Sequence, residues 1–386
     1  MFGIGAGGGN RKKKKKKKVI FYDYTLFFLT VFMVCFGLVM LYSVSSYDAA
    51  TNYGNAAYFL KKQLRYDVVG IVFMIIVSLM PMKVFKFFAV PAYWVSLLCC
   101  LLIFTPLGVS YNNSRRWLNI GFEFQPSELM KVGIILMLAY MISRRPNVMQ
   151  DFKNVIIIMV EIVALPFIAI AVTNASTAII VLVIAAAIVF VANRKTWPFM
   201  LLGGLAAAAL GAYLLYGAAY RKDRIETWLH PENADDAYQT VQGLYAIGSG
   251  GLFGKGLGNS MTKLGALPEV QNDMIFSAIC EELGVFGAIC LAVLYILMIW
   301  KFIIIAVNAK EIFGMYMATG VMAHIAIQAL LHIAVVTNTI PNTGVTLPFF
   351  SYGGTSAVIM LGEVGMVLAV SRTINVNVEE PEELDE

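Results

Sequence analysis

Long apolar runs separated by short polar segments are the dominant pattern along this chain. About 20 apolar residues in a helix cross the hydrocarbon core of a bilayer, and the runs lack the period-two alternation of barrel strands. Because lipid offers the backbone no hydrogen-bond partner, such runs must be helical. The pattern therefore predicts an all-α bundle of about ten transmembrane helices, at about 24–45, 66–81, 84–105, 127–142, 155–173, 175–193, 198–217, 273–300, 311–337 and 345–371.

The composition excludes a water-soluble fold. Of the 386 residues, 59% are hydrophobic and 14% are charged, whereas roughly 25% are charged in soluble domains. Much of the charge lies in the lysine-rich residues 1–20 and the acidic residues 373–386. We therefore predict a basic tail, a membrane domain over 21–372 and an acidic tail.

The distribution of Lys and Arg predicts how the bundle is oriented. Ten crossings place both termini on one side. If that side is the cytoplasm, it carries eighteen Lys and Arg residues, against five in the short loops opposite. Because positive residues in short loops favour the cytoplasmic face, we predict a multi-pass protein of the cytoplasmic membrane with both termini inside. The polar, Gly-rich segment 218–272 is then one large extracytoplasmic loop.

Several functional classes are not expected. The net charge of +5 comes from the lysine tract, and no nucleic-acid-binding module accompanies it. Both tails are expected to be solvated, and the lysines can also touch anionic membrane lipids. Three histidines without a CxxC or HExxH pattern do not predict an all-protein zinc site, and the five cysteines lie in apolar runs.

Four polar segments lie, in the predicted topology, at the outside ends of spans. The first contains Arg115 and Arg116, followed by Glu128 and Lys131 near the start of the fourth span. Glu128 and Lys131 are three residues apart and share a helix face. Since an ionisable residue at membrane depth is costly, a functional site is the default hypothesis, with a structural ion pair as the alternative.

The second segment ends the long loop with Leu267-Pro268-Glu269 and Asp273, just before the eighth span. A carboxylate at this position is either a helix cap or a catalytic group, and the sequence favours neither. Glu281 and Glu282 lie two turns deeper and face different directions. We expect one of them to meet a polar partner inside the bundle.

The other two segments are less specific. Residues 337–356 contain paired glycines and hydroxyl groups, which allow either close helix packing or backbone contact with a ligand. Residues 174–177 favour a tight turn between two spans. His324 and His332 lie loosely on one helix face without a third ligand in sight, so we expect satisfied histidines of the bundle.

The chemistry of these residues predicts an outward-facing polar site at the lipid surface. The guanidinium groups of Arg115 and Arg116 suit a phosphate, and the carboxylate of Asp273 can accept a proton. A substrate linked to a polyprenyl phosphate fits such a site. The residue types alone do not identify that substrate.

At these residues the chain resembles the SEDS family (shape, elongation, division and sporulation) of RodA and FtsW, from about Tyr22 to Arg372. An early segment, Cys35 to Met40 with Tyr42-Ser43, is similar to the division and sporulation branch. The motifs that carry the family resemblance are Arg115-Arg116-Trp117, Gln125 to Lys131, Tyr220-Arg221 with Arg224-Ile225, Gly254 to Gly258, Leu267-Pro268-Glu269 with Asp273, Glu281 to Gly284, and Leu347 to Gly354.

The resemblance implies a peptidoglycan glycosyltransferase that polymerises lipid II at the outer face of the membrane, in division, sporulation or elongation. In that reaction the GlcNAc 4-hydroxyl of the acceptor attacks C1 of the donor's MurNAc, and undecaprenyl pyrophosphate leaves. Asp273 matches an essential aspartate, for which general base is the natural role. The residues with implied substrate-binding roles are Arg115, Arg116, Glu128, Lys131, Arg221, Arg224 and Ser351.

The resemblance also implies a partner, a transpeptidase of the class B penicillin-binding proteins. It leaves open whether the reaction needs a divalent cation. Two positions depart from the family pattern, since Asn174 stands where many members carry a carboxylate and His332 where Asn is common. Both departures leave the roles of these two residues open.

A lipid II flippase is the alternative function. A transporter should hold its key polar groups near the bilayer midplane, whereas these groups cluster at one face, which favours the enzyme. A scaffold that only recruits a transpeptidase would leave the outer carboxylate and guanidinium groups without a task.

Overall fold

The computed structural model describes residues 17–111, 114–119, 121, 123–145, 151–193, 228–229, 238–261 and 270–378, which are mostly helical. The helices are α1 Tyr24–Tyr53, α2 Tyr58–Leu79, α3 Met82–Leu102, α4 Pro126–Arg144, α5 Phe152–Met159, α6 Leu165–Thr173, α7 Ala175–Ala192, α8 Tyr238–Gly250, α9 Ile275–Val307, α10 Ile312–Val336 and α11 Thr355–Ser371. The strands are β1 Lys17–Ile20, β2 Gly108–Tyr111, β3 Ser114–Asn119, β4 Glu123–Phe124 and β5 Asn375–Val378.

The predicted all-α, polytopic membrane bundle is confirmed. Within the described residues, seven helical stretches are long and apolar enough to cross a membrane. The shorter α11 and the more charged α2 also overlap predicted spans. The seventh predicted span, 198–217, lies outside the described residues.

The predicted start of the tenth span at residue 345 is wrong, because α11 begins only at Thr355. The preceding residues are apolar but cannot be helical. Phe349 and Gly354 have φ angles of 66° and 43°, and a proline at 348 disfavours helical geometry in the residue before it. Residues 345–354 therefore form an irregular loop at the end of the bundle.

Strands β1 and β5, the first and last described elements, lie at the same end of the bundle. Strands β1 and β5 pair antiparallel, from Lys17 opposite Val378 to Ile20 opposite Asn375. Asp23 caps α1 by accepting the N–H of Leu26 at 2.9 Å. This arrangement is what an even number of crossings requires, whereas the membrane face at which the termini lie stays a prediction.

Helix α10 is central, since it packs against α4, α7, α9 and α11. One span is interrupted: a π-helical turn at Val160–Ala164 separates α5 from α6. Pro166 has no N–H for the carbonyl of Ile162, four residues earlier. The hydroxyl of Tyr93 donates to that carbonyl at 2.8 Å, so a side chain from α3 replaces the missing backbone bond.

Gly37 allows α1 to lie directly against the loop of residues 345–354. A Cβ at this position would fall on the carbonyl oxygen of Phe349 and lie 3.1 Å from the Cα of Phe350. Both contacts are with backbone, which cannot rotate away as a side chain could.

We therefore predict that Gly37→Ala destabilises the purified protein by about 1–3 kcal/mol, the usual cost of overpacking. A lower melting temperature in detergent is the expected result. Gly248→Ala is the matched control, because nothing lies within 4 Å of a Cβ there and alanine favours a helix. Equal melting temperatures for the two variants would contradict the predicted close contact.

Candidate active site

Polar loops meet at the end of the bundle opposite the paired strands β1 and β5. The Nε of Arg116 donates to the carbonyl of Thr173 at 3.4 Å. Asp273 Oδ2 and Arg116 Nη1 lie 3.2 Å and 3.5 Å from the position that a Cβ would take on Gly344. Since Gly344 has no side chain and a φ of 63°, it leaves room for a carboxylate and a guanidinium group at one place, which we call the mouth.

A bulge in the small sheet before α4 sets the direction of Arg116. Val109 on β2 pairs with Trp117 on β3, but the next residue, Ser110, pairs with Arg115. Arg116 is therefore the extra residue of β3. Bulges of this kind redirect a side chain out of the regular alternation of a strand, which agrees with the contact of Arg116 with α6.

Arg115, the other predicted phosphate ligand, is bound to its own hairpin. Its Nη2 donates to the carbonyl of Thr105 at 2.7 Å and its Nε to that of Gly108 at 3.1 Å. These two bonds connect Arg115 on β3 to the turn that precedes β2 and to the first residue of β2. The predicted role of Arg115 in phosphate binding stays a prediction. A phosphate would have to bind the guanidinium N–H groups that these two bonds do not use.

The segment that contains Asp273 is held by the loop before α11. The hydroxyl of Ser351 donates to the carbonyl of Asn272 at 2.7 Å, and the N–H of Tyr352 donates to the carbonyl of Gln271 at 2.8 Å. Ser351 is buried. The structure thus gives Ser351 a contact with the chain next to Asp273, while its predicted contact with substrate stays a prediction.

Glu128 and Lys131 form a buried ion pair at the start of α4. Lys131 Nζ lies 2.7 Å from Glu128 Oε1, and the two side chains are 1% and 8% exposed. Lys131 also donates to Gln328 Oε1 on α10 at 3.1 Å. The second oxygen of Glu128 is buried and has no hydrogen-bond partner among the described residues.

This network continues toward the middle of the bundle. Nε2 of His324 lies 2.8 Å from Gln328 Oε1, and Nδ1 of His324 lies 2.7 Å from Glu363 Oε2 on α11. His324 and Glu363 are fully buried. The expectation of a satisfied histidine is confirmed for His324.

Sequence reasoning missed Gln328 and Glu363. The signal for Glu363 was present, because an ionisable residue in the middle of an apolar span is a functional or paired residue by default. Gln328 lies four residues from both His324 and His332, so a polar stripe along one face of α10 could have been recognised.

Both Glu281 and Glu282 have polar partners, whereas we expected one. Lys255 Nζ lies 2.8 Å from Glu281 Oε1, and the hydroxyl of Ser260 donates to Oε2 at 2.5 Å. The hydroxyl of Ser43 on α1 donates to the carboxylate of Glu282, 2.6 Å from Oε2. The two adjacent carboxylates therefore bind different parts of the structure.

The two departures from the family pattern have structural contacts. Asn174 caps α7, because its side chain accepts the N–H of Thr177 at 3.2 Å, and the predicted tight turn between two spans is confirmed. His332 Nδ1 lies 2.7 Å from the carbonyl of Val345. A carbonyl only accepts, so Nδ1 carries a proton, while Nε2 is buried without a partner in the described part of the chain.

Some predicted site residues lie outside the described residues, namely Arg221, Arg224 and the motif Leu267-Pro268-Glu269. In the part of the chain that the structure describes, no three His, Cys, Asp or Glu side chains are grouped to hold a metal ion.

Fold and site define a polytopic helical membrane protein with charged groups at one mouth of its bundle. The chain belongs to the cell cycle protein family of FtsW, RodA and SpoVE, whose family model matches residues 24–375. This match confirms the resemblance to the SEDS family.

Two curated relatives agree with the predicted branch. The probable peptidoglycan glycosyltransferase FtsW of Geobacter sp. (strain M18) is 35% identical over 356 residues, 91% of this chain and 96% of that one. Stage V sporulation protein E of Bacillus subtilis (strain 168) is 34% identical over 355 residues, 91% of this chain and 97% of that one.

Solved structures share the fold. A chain from work on the structural coordination of polymerization and crosslinking by a peptidoglycan synthase complex aligns with a TM-score of 0.75 at 26% identity, covering 91% of this chain and 98% of that one. The rod shape determining protein RodA of Thermus thermophilus aligns with a TM-score of 0.68 at 26% identity, covering 91% and 97%.

The ion pair at the start of α4 yields a stability prediction. Lys131→Met leaves the carboxylate of Glu128 buried without its cation, so we expect a loss of about 3–5 kcal/mol in the free energy of unfolding. The double variant Glu128→Gln with Lys131→Met should lose much less than the sum of the two single variants. Thermal denaturation of the purified proteins measures both effects.

The exposed pair Lys86 and Glu311 provides the control, with an Nζ to Oε2 distance of 2.6 Å and side chains that are 38% and 42% exposed. Lys86→Met should cost less than about 1 kcal/mol. Equal losses for Lys86→Met and Lys131→Met would show that burial does not strengthen the inner pair.

Proposed function

We propose that the chain polymerises lipid II into glycan strands at its mouth, with Asp273 as the general base. The enzyme class is the broader statement: the chain is a peptidoglycan glycosyltransferase of the FtsW and SpoVE branch, like relatives that are 34–35% identical over 91% of it. The substrate, the roles of the residues and the orientation in the membrane are our proposals.

The observation that carries the proposal is the approach of Asp273 and Arg116 to the same point beside Gly344. A polymerase of this kind needs a base for the attacking hydroxyl and a cation for the leaving group, close to each other. Of the residues that the structure describes there, Asp273 supplies a carboxylate and Arg116 a guanidinium group. A guanidinium group is well suited to a pyrophosphate because its donors match pairs of phosphate oxygens.

In the proposed reaction, the acceptor's GlcNAc 4-hydroxyl oxygen forms a bond to C1 of the donor's MurNAc. The hydroxyl proton passes to Asp273 as that bond forms. The bond from C1 to the pyrophosphate oxygen breaks, and its electron pair leaves with undecaprenyl pyrophosphate. Arg116 stabilises the developing negative charge on this leaving group.

Glu128 and Lys131 are proposed to orient the sugar. Lys131 is held by both Glu128 and Gln328, so its position is constrained before substrate binds. The unpartnered oxygen of Glu128 supports a hydrogen bond from a hydroxyl or amide of the substrate. Arg221, Arg224 and Ser351 keep their proposed substrate-binding roles, and Arg115 a secondary one.

A lipid II flippase remains the second candidate, and one observation favours it. His324 and Glu363 are an ionisable pair in the middle of two spans, the depth at which transporters hold their polar groups. Both side chains are fully buried and already bound to protein partners. A structural pair accounts for these contacts without a transport path, so the polymerase is the better-supported function.

A transpeptidase of the class B penicillin-binding proteins is the proposed partner. The supporting observation is the likeness to a chain studied as part of a peptidoglycan synthase complex that coordinates polymerization and crosslinking. We propose that the mouth faces the outside of the cytoplasmic membrane and that both termini lie in the cytoplasm.

We predict that purified wild-type protein, alone or with this partner, makes glycan strands from lipid II and that Asp273→Asn makes none. The amide keeps the size of the side chain but cannot accept the hydroxyl proton. Asp48→Asn is the control, because Asp48 accepts a bond from Asn52 within α1 and has no proposed role. Gel analysis of the products, with a lipid II scrambling assay in vesicles, distinguishes the two functions.

Full polymerisation by Asp273→Asn would reject the base assignment. Scrambling of lipid II by wild-type protein without any polymer would instead favour the flippase.

The proposed orientation is tested by thiol labelling in a variant that lacks the five native cysteines. Asn308 and Asn342 are both exposed. Asn308 lies just before α10 and Asn342 lies after it, so the two residues are at opposite ends of this helix. We expect a membrane-impermeant maleimide to label Asn342→Cys in intact cells and Asn308→Cys only after lysis. The reverse pattern would place the mouth in the cytoplasm.

A further inference from the structure

Helix α9 is broken where it leaves the mouth. Gly284 has a φ of 67° and a ψ of −165°, a backbone conformation that only glycine adopts readily. In a regular helix the N–H groups of Val285 and Phe286 would donate to the carbonyls of Glu281 and Glu282, four residues earlier. The break leaves these four backbone groups without their helical partners.

The insertion loop, residues 251–261, provides replacements. The N–H of Val285 donates to the carbonyl of Gly251 at 3.0 Å, and the N–H of Phe286 to that of Leu252 at 3.1 Å. Two further bonds run the other way, from the N–H groups of Lys255 and Gly256 to the carbonyls of Glu281 and Glu282, both at 2.9 Å. The loop therefore supplies partners for all four of these backbone groups.

Glycine is required on both sides of this contact. A Cβ on Gly284 would lie 2.6 Å from the carbonyl oxygen of Leu252, and it would also clash with the backbone nitrogen of Gly254. Without the loop, Gly284 could return to a helical φ, and the four groups could bond to each other within α9. The backbone of α9 therefore does not by itself require the docked loop, and a side chain that binds the loop can favour docking.

Glu281 is the side chain that holds the loop in place. It is 1% exposed, and its carboxylate accepts bonds from Lys255 Nζ at 2.8 Å, the Ser260 hydroxyl at 2.5 Å and the Met261 N–H at 3.0 Å. All three donors belong to the insertion loop. Withdrawal of the loop would leave this carboxylate buried without them, which is strongly unfavourable.

Glu282 adds a second connection. Ser43 donates to its carboxylate and accepts the N–H of Gly258 at 3.0 Å, so α1 is joined to the loop through the same hydroxyl. The helical segment Ile275–Leu283 lies before the break, and Asp273 is two residues from its start. The direction of this short segment therefore affects where Asp273 lies.

We propose that Glu281 is a positioning residue for the glycosyltransferase reaction. Its carboxylate docks the insertion loop into the break of α9, and the docked loop sets the direction of the segment Ile275–Leu283, which places Asp273 beside Arg116. This inference rests on the proposed role of Asp273 as the base. Glu281 acts through Asp273 and does not itself touch the reacting atoms.

Two variants test the proposal in different ways. Glu281→Gln removes the charge that binds Lys255, and Gly284→Ala displaces the loop by a steric clash without changing any charge. We expect each to lower kcat for lipid II polymerisation about 10-fold or more, because a misplaced base loses rate steeply, with KM for lipid II within about 2-fold of wild type. Glu311→Gln, at the opposite end of the bundle, is the control and should keep wild-type kinetics.

Hydrogen exchange measured by mass spectrometry reports docking independently of activity. In both test variants the amides of Lys255 and Gly256 should exchange faster than in wild type, while peptides from α4 and α10 keep their protection. Unchanged exchange in Glu281→Gln would overturn docking by Glu281. Faster exchange with an unchanged kcat would overturn its effect on Asp273.

A third pair of variants covers the case in which Glu281→Gln does not fold, as judged by size-exclusion chromatography. Lys255→Met should then reproduce the loss of kcat, and Lys255→Arg should restore it, because arginine keeps the bond to Glu281. Wild-type kcat in Lys255→Met would reject the inference. Full polymerisation by Asp273→Asn would instead reject the proposed role of Asp273 as the base, and scrambling of lipid II without any polymer would reject the polymerase, so these failures can be told apart.

Discussion

Every backbone polar group inside this bundle must find its partner within the protein, because lipid offers none. The places where a helix is interrupted show how the chain meets this constraint. The hydroxyl of Tyr93 binds the carbonyl that Pro166 leaves free, and the hydroxyl of Tyr295 donates to the carbonyl of Pro348 at 2.5 Å. At Gly284 a whole loop replaces the missing bonds. Irregular backbone occurs in this bundle where another element satisfies it.

The same constraint shapes the mouth. Charges that pair in the interior form connected groups, such as Glu128 with Lys131 and Gln328, and these groups join helices that are distant in sequence. The mouth is therefore built on side chains that are constrained before any substrate arrives, which lowers the cost of binding and orienting one. Asp273 differs, since it lies on a loop segment that the loop before α11 holds through one backbone bond and one bond from the Ser351 hydroxyl.

Predictions from the sequence succeeded where a residue's environment depends on its own neighbours along the chain. The apolar runs predicted nine spans in the described region, each of which coincides with a helix or overlaps one, and the turn at Asn174 follows from its place between two runs. They failed at residues 345–354, because an apolar segment can be a buried loop as well as a helix. Periodicity could not distinguish them, whereas Pro348 and the glycine pair were visible signals against a helix.

Residue order alone determined that the protein lies in a membrane, which side chains are costly there and which family the motifs resemble. Tertiary structure decided which of those side chains meet. It gave Glu281 and Glu282 separate partners, directed Arg115 to its own hairpin and Arg116 to the mouth, and extended the network to Glu363. The physical reason is that burial makes a partner obligatory without specifying it: the choice depends on helix packing and loop geometry, which bring together residues far apart in the chain.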